Sequence, residues 1–163
     1  MQHQSCAVWQ VTTRAPEQTQ ALGAQLGRPL VGGEVIALSG PLGAGKTCLV
    51  QGIGEGLGVP DRITSPTFVL VHQHRGRIPL YHVDAYRLAT AEAAYEIGLP
   101  ELMDRGGVVA IEWAEQIAGA LPDGRLDIEM AHVADGRIIT LRPRSAQWEA
   151  LVQELNGIAG PRD

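Results

Sequence analysis

Cysteine is scarce in this chain: two residues, Cys6 and Cys48, with no CxxC spacing. That excludes a disulfide framework as the source of stability and points to a reducing compartment. Excess positive charge is also missing. Lys and Arg total 13 against 18 Asp and Glu, a formal net charge of −5, whereas a broad nucleic-acid surface rests on clustered Lys and Arg. A partner that itself holds nucleic acid stays compatible with this balance. No apolar run approaches the roughly 20 residues that cross a bilayer. The opening stretch "MQHQSCAVWQVTTRAPEQ" lacks the basic-then-apolar pattern of a secretory leader. The expectation is a cytoplasmic protein without membrane contact.

The residues present suffice for a core. With 163 residues, 45% of them apolar and 19% charged, the chain can bury a core without cross-links. No repeat or low-complexity linker divides it, so one domain over 1–163 is expected. "CAVWQVT" has strand composition, and "PEQTQALGAQLGRPL" follows as a helix with Pro16 near its start. "EVIALSG" is a short apolar run of the kind a buried strand shows. "KTCLVQGIGEGLGV" carries Leu49, Val50, Ile53 and Leu57 at helical spacing, weakened by four glycines and ended near Gly58. Two strand-like runs, "PTFVLVHQH" and "IPLYHVDAY", flank "RGR" and predict a hairpin. "TAEAAYEIGLPELMDRG" reads as helix with a break at "GLP", and "GVVAIEW" as a strand ending in an acid. "RLDIEMAHV" and "RIITLRP" flank "ADG", a second hairpin. "SAQWEALVQELNG" closes the pattern as a Ser-capped helix. The sum is an α/β protein, a sheet with flanking helices and antiparallel hairpins.

Between "VIAL" and the second helix lies "GPLGAGKT", which satisfies G-x-x-x-x-G-K-[ST] through Gly40, Gly45, Lys46 and Thr47. Gly40, Gly43 and Gly45 permit backbone angles that turn successive N–H groups onto phosphate oxygens. The helix starting near Lys46 adds the positive end of its dipole. Lys46 is positioned to bridge terminal phosphates, and the Thr47 hydroxyl to ligate Mg²⁺. This is the pattern of a nucleoside triphosphate site. Pro41 brings a rigid residue without a donor into the loop.

Such a site needs a carboxylate at the end of a neighbouring strand. Two acids qualify: Asp84 in "LYHVDAYR" and Glu112 in "VVAIEW". Glu112 has the purer form, four apolar residues and then an acid, as a buried parallel strand delivers. His82 and Asp84 sit two apart and share a strand face. One acid is expected at the magnesium and the other at a water, in an order the residues leave open. In "ITSPTF", Pro66 stiffens a segment presenting Ser65 and Thr67. It reads either as a plain turn or as a loop whose threonine senses the terminal phosphate. His72 and His74 share a face without a third ligand at metal spacing. Cys48, at the start of the loop helix, fits a packed thiol better than an activated one. Trp113 points away from Glu112 if the strand continues, and has two readings, base pocket or core.

Taken together, "GPLGAGKT", "SPTF", "HVDAYR" and "IEWAE", in this order within so short a chain, resemble the TsaE family. These are bacterial ATPases required to make threonylcarbamoyladenosine in transfer RNA. The resemblance runs from about Glu17 to Arg142, and "LPDGRL" and "DGR" look like the family's closing segment. It implies a P-loop NTPase-like fold, ATP with Mg²⁺, weak ATPase activity, and action with a two-subunit threonylcarbamoyl transferase. That transferase modifies the adenosine beside the anticodon in tRNAs reading codons that begin with adenine, and tRNA is expected to be met only through that complex. By position the resemblance implies that Leu42, Gly43, Ala44, Gly45, Lys46 and Thr47 hold the phosphates, and that Thr47 and Glu112 hold magnesium. It sets Asp84 near the γ-phosphate, Thr67 in the first switch, and Trp113 and Arg137 at the nucleotide, with a further contact around Glu17 and Thr19. Lys46, Asp84, Glu112 and Thr67 are the implied catalytic set. Pro41 and Cys48 depart from the family's usual acid and hydroxyl residue, and are expected to tune affinity at most.

Two other enzyme classes are weighed against this. A GTPase needs an N-K-x-D segment, and the chain has none. A small-molecule P-loop kinase needs an acceptor pocket and an Arg-rich lid, for which "RGRIP" and "RPRS" are the nearest stretches. Neither is placed as a lid would be.

Overall fold

A computed structural model of the protein describes residues 7–64 and 70–155. Seven strands form one sheet: β1 (Trp9–Thr13), β2 (Val35–Ser39), β3 (Val71–Arg75), β4 (Pro79–Asp84), β5 (Val108–Glu112), β6 (Leu126–Val133) and β7 (Gly136–Pro143). Their order across the sheet is β1-β7-β6-β2-β5-β4-β3. The inner four, β6, β2, β5 and β4, are mutually parallel. The edges are antiparallel additions, β7 and β1 on one side and β3 on the other. Strands covered on both faces need continuous apolar runs, and all five residues of β5 are buried, as are the first four of β2.

Alternation along the strands sorts the core into two layers. Ile36 and Leu38 of β2 face α1 (Pro16–Gly27), α2 (Lys46–Gly56) and α5 (Ala146–Gln153). Val35 and Ala37 face α3 (Ala91–Glu96), α4 (Leu99–Met103) and two 3-10 turns over Ala114–Ala120. The break at "GLP" is real: Gly98 takes φ +80 and separates α3 from α4. Thr90 and Ser145 cap α3 and α5 by accepting from Ala93 N (3.2 Å) and Trp148 N (3.2 Å).

The glycines that weaken α2 have a packing role the sequence pattern hid. A Cβ on Gly52 would lie 2.1 Å from the Gln20 carbonyl oxygen, and one on Gly23 would lie 2.4 Å from that of Leu49. Both helices thus use small residues to bring their backbones together, and α2 trades intrinsic propensity for contact. The predicted hairpin around "RGR" also has an unforeseen task. The Arg77 guanidinium donates to the carbonyls of Gly27 (2.8 Å), Arg28 (2.5 Å) and Leu30 (2.5 Å). It caps the C-terminus of α1, whose last turn has no basic residue of its own.

Candidate functional site

The carboxyl ends of β4, β5, β2 and β6 gather at one edge of the sheet, where ligands of open parallel sheets bind. From β2 the chain enters the glycine loop. Gly40, Gly43 and Gly45 take φ +141, +77 and +102, angles that L side chains rarely adopt. At Gly40 a Cβ would also meet the Met130 carbonyl oxygen at 2.3 Å. Ala44 N donates to Pro41 O at 3.1 Å and closes the loop as a turn. Gly45 is the left-handed N-cap of α2, so Lys46 and Thr47 begin the helix with its free N–H groups.

Lys46 is 5% exposed. Its ammonium donates to Gly40 O (2.5 Å) and Pro41 O (3.0 Å) and lies 3.8 Å from the centroid of the Trp113 ring. Burial pulls its pKa below the ordinary lysine value, opposed by the charges of Glu112, Glu115 and Asp84. Glu112, at the end of β5, is buried. Its two carboxylate oxygens lie 2.9 and 3.0 Å from the Thr47 hydroxyl, which donates to them. On its other side it pairs with Nε2 of His82, a fully buried side chain on β4. Asp84 ends β4 directly across from Glu112 in register. Its Oδ1 accepts from Tyr86 N at 2.9 Å, which fixes the turn leaving the strand.

Trp113 combines elements of the two readings the sequence left open: it lines the cavity over the glycine loop and packs against the second core layer. The strand stops at Glu112, and Trp113 takes φ +59, the sole positive φ among the described non-glycine residues. Bulky residues avoid this region at a cost of order 1–3 kcal/mol unless their surroundings enforce it. Here the ring swings back over Lys46 and against Tyr86, with ring centroids 5.0 Å apart. It lines a cavity of about 330 Å³ with Leu42, Gly45, Thr47 and Glu112. This is the cavity above the glycine loop.

A second cavity, of about 250 Å³, adjoins the first through Gly43, Gly45 and Cys48. Thr13 ends β1, Thr19 lies on α1, and Arg137 belongs to β7; all three line it. The Thr13 and Thr19 hydroxyls, both buried, are bonded at 2.7 Å. Arg137 donates to Gly43 O at 3.2 Å, so the β6–β7 hairpin grips the loop from outside. Glu17 stands on the first turn of α1, exposed, with its charge felt by Cys48. Ala15, Pro16 and Thr19 line the cavity on either side of Glu17. The Cys48 thiol donates to Pro16 O at 3.3 Å, and burial pushes its pKa up, with Glu17 and Glu55 adding to the shift. The thiol is half-buried and lines both cavities.

Lys46, Thr47, Asp84, Glu112 and Trp113 therefore converge on one edge, with Arg137 at its far end. Thr67 lies outside the described residues. His72 and His74 meet edge to face, 6.1 Å apart, and the described residues hold no group of three side chains able to bind a metal by themselves. His82, Tyr86 and Thr13 were not singled out for the site by sequence reasoning. Only His82 left a trace, its even spacing from Asp84. The donor set is chemically coherent. An ammonium and a helix N-terminus suit phosphate oxygens, and a hydroxyl beside a carboxylate suits a small hard divalent cation that keeps several of its waters.

Comparison with known proteins gives the same direction. The family model for the threonylcarbamoyl adenosine biosynthesis protein TsaE matches residues 13–139. Several relatives carry the name tRNA threonylcarbamoyladenosine biosynthesis protein TsaE. That of Treponema pallidum is 44% identical over 124 residues, covering 76% of this chain and 92% of its own. That of Bacillus subtilis is 37% identical over 143 residues, covering 86% and 89%. The crystal structure of Bacillus subtilis YdiB superposes with a TM-score of 0.79 at 34% identity, covering 93% of this chain and 96% of that one.

Proposed function

This chain belongs to the TsaE family, and from that premise we propose that it is a magnesium-dependent ATPase acting in the synthesis of threonylcarbamoyladenosine in tRNA. The observation that carries the ATPase reading is the junction of Lys46, Thr47 and Glu112. One charged donor, one hydroxyl and one carboxylate meet where β2 and β5 end at the start of α2. Leu42 to Thr47 bind the phosphates through loop N–H groups and the Lys46 ammonium. Adenine and ribose occupy the second cavity, between Thr19 and Arg137. Thr47 and Glu112 hold magnesium, which neutralises phosphate charge when bound.

Lys46 turns from the loop carbonyls to the β- and γ-phosphate oxygens and stabilises the charge that develops as the γ-phosphate leaves. Trp113 shields that contact from water. Asp84 lies beside the γ-phosphate and orients the attacking water, while Thr67 senses the triphosphate. Binding of the triphosphate at these segments creates a surface for a two-subunit threonylcarbamoyl transferase. Leu42 (84% exposed) and Tyr86 (60% exposed) give that surface apolar contact at the rim of the site. Hydrolysis resets the transferase, which acts on the adenosine beside the anticodon in tRNAs reading codons that begin with adenine. The net charge of −5 accords with tRNA being held by the complex rather than by this chain. Cytoplasmic action is consistent with the described helices, none of which is long and apolar enough to cross a membrane.

Three of the four arginines in the stretches the kinase alternative needs are engaged elsewhere. Arg77 caps α1, while Arg142 and Arg144 pair with Glu129 (3.5 Å) and Asp127 (2.8 Å). The deciding experiment is phosphate release from ATP and GTP, with the transferase pair absent and present. A slow ATP-selective rate that rises with the partners is expected. Turnover appearing only with a small acceptor would make it a kinase, and tRNA modification surviving Lys46→Ala would overturn the coupling.

A further inference from the structure

His82 is the most deeply buried polar side chain of the site region, with no exposed surface. Its neighbours along β4, Leu80, Tyr81 and Val83, are apolar and buried, so the strand by itself asks for a hydrophobic residue. A buried imidazole costs free energy unless its nitrogens are bonded. Nε2 bonds Glu112, while Nδ1 has no hydrogen-bond partner among the described residues. Among the described residues, the hydrogen bond this imidazole makes goes to the carboxylate of the site.

The arrangement is asymmetric. Thr47 reaches Glu112 from the cavity side and His82 reaches it from the sheet interior. Thr47 begins a helix above the loop and is itself a candidate ligand, so its hydroxyl is committed elsewhere when the cavity fills. His82 lies on the strand next to β5, in register with Ala110, two residues before Glu112 on the same face. Its place relative to the carboxylate is set by the sheet ladder and does not depend on the cavity's contents.

We propose that His82 is a positioning residue for the metal site: its Nε2–H holds the Glu112 carboxylate in the orientation that receives magnesium with the nucleotide. This rests on the ATP and magnesium reading given above. Partners that orient a metal-binding carboxylate typically change metal affinity by about 10- to 100-fold when removed. Phosphate contacts made by the loop and Lys46 do not pass through His82.

The test is calorimetric titration of the full chain with the slowly hydrolysed analogue AMPPNP, once with magnesium chloride and once with EDTA. The readout is the ratio of the two dissociation constants, which a loss of general packing would not move selectively. Wild type is compared with His82→Leu, His82→Asn and His82→Gln. Only the glutamine amide can stand where Nε2 stands. The expected result is an EDTA affinity unchanged within about twofold in every variant. The magnesium-dependent tightening falls by about tenfold or more in His82→Leu and His82→Asn and is kept in His82→Gln. Adding His82→Leu to Glu112→Gln produces no further loss. Should His82→Leu not fold, the Asn and Gln variants decide alone. Equal ratios in wild type and Asn overturn the assignment, and so does a loss in Gln as large as in Asn, which would trace the effect to burial. A wild type with no magnesium dependence overturns the metal reading itself, and the assignment with it.

Discussion

The two ends of the groove over the glycine loop are built differently. The phosphate end takes its side chains from the inner parallel strands and the start of α2: Lys46, Thr47 and Glu112, backed by His82. Lys46, Glu112 and His82 are buried, and Thr47, Glu112 and His82 are joined by hydrogen bonds, so each of these three has a neighbour that depends on it. The far end takes its lining from the sheet's antiparallel margin and from α1: Thr13 of β1, Thr19 of α1 and Arg137 of β7. There the polar contacts either belong to the scaffold, as with Thr13 and Thr19, or grip the loop from solvent, as with Arg137. In the proposed ATPase, the chemistry that must exclude water is assigned to the rigid centre and recognition to the margin, where a residue can change without unseating the core.

That contrast breaks first at Lys46. Lys46→Met keeps the aliphatic stem beside Trp113 and removes the charge. Turnover should fall by about 10²- to 10³-fold, followed by phosphate release, while circular dichroism shows the fold retained. A fall of less than tenfold would mean the buried end is not where the reaction is stabilised. At the other end, Thr19→Val strands the buried Thr13 hydroxyl. It should cost about 1–3 kcal/mol in urea unfolding and leave turnover at saturating ATP near wild type. A large loss of turnover instead would make that pair part of the chemistry.

Arg137→Ala removes the grip on Gly43 and a lining group of the second cavity. The expected effect is a rise in KM for ATP of about tenfold with kcat nearly unchanged, measured by steady-state kinetics. A fall in kcat alone would erase the division between the two ends.

The smallest effect concerns Cys48, where the cavities meet. Its raised pKa leaves less thiolate at a given pH, so a Cys6→Ser protein should be alkylated by iodoacetamide several-fold more slowly than free cysteine at pH 8, since one pKa unit is about tenfold in thiolate. The sign for stability follows. The folded state holds this proton more tightly than the unfolded chain, so stability falls as pH rises through the unfolded thiol's titration. Alkylation as fast as free cysteine would show the junction open to solvent.

Much of the scaffold was legible because it is written locally. Four apolar residues before the glycine loop made β2, Pro16 opened α1, "GLP" broke α3 from α4, and "ADG" turned β6 into β7. Each signal acts within a few residues, through φ limits, missing donors or alternation. What was hidden is contact between segments distant in the chain. Nothing local announces that β1 closes the sheet against β7, that β6 lies parallel beside β2, or that Gly23 and Gly52 let two helices touch. Nothing local announces either that Trp113 takes a left-handed φ and ends the strand at Glu112.

The sequence by itself determined the site's chemical vocabulary: a glycine loop with Lys46 and Thr47, acids at strand ends, and apolar runs long enough for a parallel core. Those properties belong to residue types and short spacings. The tertiary structure decided how the Glu112 carboxylate meets Thr47, which histidine stands behind it, and what Arg77 and Arg137 hold. Asp84 and Glu112 both end strands in the sequence, with Glu112 the purer form. Register across β4 and β5 and the placement of α2 put the Glu112 carboxylate, and not that of Asp84, against the Thr47 hydroxyl. Such pairings depend on distances across the sheet, which a linear spacing does not encode.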